Sequence, residues 1–150
     1  MNNKINAKHL ERAAYVYIQQ SSLQQVRQNS ESGRRQYELQ DLARELGFAE
    51  VVMLNLFAFR ATDPRDLKRA TDPIGPDNDE HLLTEVRNVD RVIACWGGQG
   101  RFLERDRQVS DLLKVPFECL LRNRTGAPHH PLYLKSRIRP KPFRLDQIRN

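Results

Sequence analysis

The chain has 150 residues, 39% apolar and 29% charged, with a formal net charge of +6 and a mean hydropathy of −0.71. That is about one ordinary domain, long enough for a core and polar enough for a soluble globular protein. No apolar run approaches the ~18 residues of a membrane span and MNNKINAKHLER lacks a signal-peptide core, so a cytoplasmic location with no membrane partner is expected.

The charge is uneven. Residues 122–150 carry eight Lys/Arg against one Asp, while the remainder is close to neutral. A local cationic segment suits a polyanion, because each neutralised phosphate releases counterions; the plain alternative is a solvated basic tail. Cys95 and Cys119 lie in separate strand-like runs without a CxxC spacing, so neither a disulfide scaffold nor a zinc site is indicated. No metal and no other cofactor is expected.

In chain order, RAAYVYI (residues 12–18) reads as a first strand. A polar loop leads to GRRQYELQDLAREL, whose Tyr37, Leu39, Leu42, Ala43 and Leu46 form an apolar helical stripe that Gly47 ends. EVVMLNLFAFRATDP (residues 50–64) is the stretch around which the rest is organised. Val51, Val52, Met53, Leu54, Leu56 and Phe57 read as a strand buried on both faces, and Asn55 is its one polar interruption. A buried carboxamide costs about 1 to 3 kcal/mol without partners, so Asn55 is either locked to backbone or held for a ligand.

Thr62 or Asp63 caps a short helix with Pro64 in its first turn, and TDPIGPDND is a loop. Asp77 or Asn78 starts a helix through EHLLTEVRNV, with Leu82, Leu83 and Val86 inward. RVIACW (residues 91–96) is a third buried strand. The turn Gly97-Gly98-Gln99-Gly100 and the helix RFLERDRQVSDLLK follow it, an arrangement that can present backbone N–H groups to an anion. It matches no established phosphate-loop spacing, and glycines here also serve a tight turn. VPFECLL (residues 115–121) is a fourth strand, running into RNRTGAPHHPLYL and the basic C-terminus. Strands alternating with helices argue for an α/β single domain: a three-layer sandwich with a mostly parallel four-stranded sheet and a ligand crevice beyond the strand carboxyl ends.

From about residue 48 onward, NLFAFRATDPRDLKRATDPIGPDND, IACWGGQG and TGAPHHPLYL resemble a bacterial family with no assigned activity, domain of unknown function sixteen forty-three. The order of pieces is also similar to the uracil-DNA glycosylase layout. That resemblance implies that Asn55 reads a base edge, that Trp96 and Gly97 mark a later strand end, and that His130-Pro131 lies against a flipped-out nucleotide. The chemistry is coherent, since a carboxamide donates and accepts at once and a histidine can stabilise charge on a departing base.

Residues 12–48 resemble the opening of serine recombinases, the resolvase and invertase group, which implies Ser21 as the nucleophile. Gln19 stands where that group has an arginine, so the cation that would stabilise the phosphoryl charge is missing. The Asn-Pro-Ser loop of the uncharacterised family is missing as well. These departures suggest a chimera: a recombinase-like strand, loop and helix in residues 1–48, an α/β core in 49–134 and a basic tail in 135–150.

The resulting expectation is a protein that binds nucleic acid (DNA) or a nucleotide and is catalytically incomplete. The alternatives are a base-excising hydrolase acting through Asn55 and His130, or a degenerate recombinase acting through Ser21. The candidate phosphate contacts are Gly97, Gly98, Gly100, Arg122, Arg124, Lys135, Arg137 and Arg139. Composition sets no oligomeric state.

Overall fold

The structure, a computed structural model, describes residues 40–61, 63–130 and 138–148, together with the backbone of 14–19. Its strands are β1 (Ala14–Gln19), β2 (Val51–Asn55), β3 (Val89–Cys95), β4 (Phe117–Cys119) and β5 (Lys141–Phe143). They form one sheet in the order β2-β1-β3-β4-β5. The first four run parallel, with β1 between β2 and β3, and β5 returns antiparallel along β4.

Two expectations about the sheet are corrected. It is a mixed sheet of five strands, because part of the basic C-terminal segment pairs as β5; Pro142 is tolerated there because the strand is short and ends the strand order. The apolar run at residue 51 is the other terminal strand, not a central one. Only Leu54 of β2 is buried, since β1 rather than β2 adjoins β3. An apolar run tells how much of a strand is covered, not its place in the order.

The helices are α1 (residues 40–45), α2 (Pro64–Arg69), α3 (Asn78–Val86) and α4 (Arg105–Leu113), and 3-10 turns span Gly97–Glu104 and Leu145–Gln147. Gly47, at φ +86°, ends α1: its N–H bonds Arg44 O at 2.9 Å and the Phe48 N–H bonds Ala43 O at 2.9 Å, the paired bonds of a Schellman stop. Asp63 caps α2 by accepting from the Arg65 N–H at 2.8 Å, and Pro64 occupies the first turn. Asp77 precedes α3 without a side-chain capping bond.

The helix expected directly after the glycine turn starts only at Arg105. Phe102 is extended, and Leu103 and Glu104 both take left-handed φ, so the 3-10 turn breaks before α4 begins.

Strand alternation sorts the core into two clusters. Leu54, Val92, Ala94, Trp96, Phe117 and Cys119 pack with Leu82 and Val86 of α3 and Val109 and Leu113 of α4. Ile93 and Cys95 pack with Ala43, Phe48 and Leu120, beside Leu42 of α1 and Leu46 just after it. Each large side chain removed from water in this way contributes roughly 1.5–3 kcal/mol. The two thiols are buried, and burial pushes both pKa values up. No helix among the described residues is long and apolar enough to cross a membrane.

Candidate functional site

The described segments that follow β2, β3 and β4 meet at the carboxyl end of the sheet. The order β2-β1-β3 sends successive connections to opposite sides of β1, the topology in which α/β sheets open a crevice at that end. Asn55 closes β2 opposite Gln19, and Gln19 in turn pairs with Cys95. The Asn55 carboxamide oxygen is buried and finds no hydrogen-bond donor among the described residues. One residue on, the Leu56 carbonyl accepts from Asn78 Nδ2 at 2.7 Å and from Arg105 Nε at 2.9 Å. Arg105, 1% exposed, also bonds Asp79 at 2.5 Å. A guanidinium can be buried this way because carbonyl and carboxylate together take its donors.

The glycine turn and the histidine loop are joined directly. Gly97, at φ +65°, donates its N–H to Pro128 O at 2.7 Å, and His129 donates its N–H to Leu121 O at 2.7 Å. Asn123 stiffens the loop, its Oδ1 accepting from the Thr125 N–H, the Thr125 hydroxyl and the Ala127 N–H. Burial pushes the His130 imidazole down to about 4, with the neighbouring His129 charge acting in the same sense. At neutral pH His130 is an uncharged imidazole.

The basic C-terminal residues are built into the fold. Arg122 bridges to Pro128, bonds Pro142 O at 3.3 Å and lies over the Phe143 ring at 5.5 Å. Gly126 abuts Gln147, since a β-carbon there would come 2.5 Å from its carbonyl oxygen. Residues 122–128 and 141–148 therefore form one packed unit beside β4. Arg124, Lys141 and Arg144 are exposed on it, Arg139 is exposed just before β5, and Arg144 meets Asp146 at 2.9 Å.

A cleft of about 550 Å³ lies between α2 and the Gly97–Glu104 turn, both of which follow strand carboxyl ends. Arg65, Lys68 and Arg101 supply its cations, Leu67 and Phe102 its apolar wall, and Gly98 a stretch of bare backbone. Arg65 is engaged by Asp63, whose carboxyl this pairing lowers to about 2.

Of the described residues singled out from the sequence, Gly98 alone lines the cleft. By strand alternation Asn55 has the parity of Val51 and Met53, which pack with the Ala43 cluster, whereas Leu67 and Phe102 of the cleft pack with the Leu54 cluster. Gly97 and Gly100 carry structural duties: the first bonds Pro128, and the second faces the Trp96 indole. Arg122, Arg124 and Arg139 sit with Lys141 and Arg144 near β5. Ser21, Lys135 and Arg137 lie outside the described residues. Sequence reasoning missed Arg105, Asn78 and the cleft cations. Their one signal was a position just after a strand or at a helix start, which surface residues share.

A family model described as "Protein of unknown function (DUF1643)" matches residues 4–132. The match is thus not confined to the part after residue 48 but runs through the segment that sequence reading set apart. The "Uncharacterized protein y4bA/y4pH" of Sinorhizobium fredii (strain NBRC 101917 / NGR234) is 53% identical over 45 residues, which is 30% of this chain; the match spans 6% of that protein's length. No solved structure matches.

Proposed function

We propose that this chain, which belongs to the DUF1643 family, binds nucleic acid through the cationic unit beside β4 and β5. The observation that carries this reading is the placement of Arg122, Arg124, Lys141 and Arg144 on the packed residues 122–128 and 141–148, with Arg139 just before β5 and Asp146 as the one acidic residue among them. Cations carried on an anchored backbone cost less chain entropy on meeting a phosphate backbone than cations on a loose tail. Arg144 is partly offset by Asp146, an exposed pair worth little in itself. The reading includes catalytic incompleteness, because the Asn-Pro-Ser loop expected of the family is missing from the sequence.

The test is fluorescence anisotropy with labelled single- and double-stranded oligonucleotides across a salt series. Binding is expected at low salt, with log affinity falling linearly in log salt. Flat titrations at low salt overturn the reading.

One observation favours a second reading. The buried Asn55 oxygen, without a donor among the described residues, is what a base-excising hydrolase would need at the end of β2, where a pyrimidine N–H would complete it. Incubation with uracil-containing duplex followed by alkali then yields strand cleavage that Asn55→Ala abolishes. Intact strands reject it.

A further inference from the structure

We propose that the cleft between α2 and the Gly97–Glu104 turn binds a ring-bearing phosphate ester of the size of a nucleoside monophosphate. A volume of about 550 Å³ lies within the range of small-ligand cavities. The lining is divided by chemistry. Leu67 and Phe102 form an apolar wall anchored in the core, with Phe102 resting against Phe57 at 5.7 Å between ring centroids and 44° between planes. The break in backbone geometry at Leu103 and Glu104 turns the chain away just after Phe102, which keeps that ring on the wall. A flat heterocycle can stack on such a surface.

The other part of the lining is cationic. Arg65, Lys68 and Arg101 line the cleft, and among the described residues none of those lining it is acidic. Arg65 is already held by Asp63 through both carboxylate oxygens, so Lys68 is the lining cation that a phosphate would draw on first. Gly98 completes the arrangement: a β-carbon built there meets nothing within 4 Å, so a ligand can approach bare backbone. A phosphate alone would leave the Phe102 wall unused, and a nucleoside alone would leave the cations unused.

This proposal is independent of the nucleic-acid reading, which concerns the β4–β5 side, so an oligonucleotide titration can fail while this one succeeds. The experiment is isothermal titration of the full chain with AMP, UMP, adenosine and inorganic phosphate. At least one nucleotide is expected to bind, with adenosine and phosphate weaker by about tenfold or more. Lys68→Ala and Gly98→Leu should each weaken nucleotide binding by about tenfold with an unchanged melting temperature, because both positions are exposed. Absence of nucleotide binding, phosphate binding as tight as nucleotide, or nucleotide binding indifferent to Gly98→Leu would each overturn the assignment.

Discussion

Gly100 lies flat against the indole of Trp96: a β-carbon on Gly100 would fall 2.6 Å from Nε1 and 2.8 Å from Cγ of that ring. The ring is buried and bounded by Phe117 and Phe143, so it has little room to retreat. Two positions earlier, Gly98 meets nothing. Gly100→Ala should therefore cost about 1–3 kcal/mol by overpacking, while Gly98→Ala stays within about 0.5 kcal/mol of the parent. Urea denaturation of the two variants checks this, and equal destabilisation would refute the packing role of Gly100.

Arg105 joins segments 49 positions apart through Leu56 O and reaches Asp79 on α3. Asp79 is half exposed and can turn to water, whereas the carbonyl cannot. Arg105→Met should cost about 2 kcal/mol, and Asp79→Asn less than 1 kcal/mol by roughly the measure of a surface pair. Asn78→Ala combined with Arg105→Met should be worse than additive, because the two side chains share one acceptor. Destabilisation by Asp79→Asn as large as that by Arg105→Met would show that the ion pair, not the carbonyl bond, dominates.

If the β4–β5 side holds a phosphate backbone, replacing Arg124, Arg139 and Lys141 with Gln should weaken oligonucleotide binding at every sequence. It should also lower the salt slope by about 0.9 for each duplex phosphate that is no longer neutralised. All three are exposed, so the melting temperature should not move. An unchanged slope would place the phosphate-binding surface elsewhere.

His130 ties stability to acidity. Its pKa is about 4 when folded, against 6.5 when unfolded, so the unfolded chain binds the proton first as pH falls. The contribution is neutral above about 6.5, becomes increasingly destabilising down to about 4 and levels off below, for a total of up to roughly 3 kcal/mol. His130→Gln should flatten the stability curve over that window relative to the parent. Curves that run parallel from pH 7 to 4 would contradict the burial of this ring.

Much of the fold was legible where one local signal sufficed. Gly47 as a helix stop, Asp63-Pro64 as a helix start and the four parallel strands each follow from backbone chemistry within a few residues. Strand order was not legible, since the Val51 run reads the same in the middle of a sheet or at its end. β5 was hidden by Pro140, Pro142 and the surrounding cations, which describe a tail as well as a short antiparallel strand. The break at Leu103 and Glu104 gave no warning, because neither residue is one that favours left-handed backbone. For the site, the meeting of the glycine turn with the histidine loop was foreseeable from topology. The cleft was not, since α2 follows β2 and the glycine turn follows β3, and their approach is set by tertiary packing.

The chain contains one tryptophan, and it sits edge-on to Phe117 of β4 and to Phe143 of β5, with centroids at 5.9 and 6.2 Å. Seating of the last strand is thereby written into the intrinsic ultraviolet emission of the molecule. A red shift on release of β5 would report its detachment without any label.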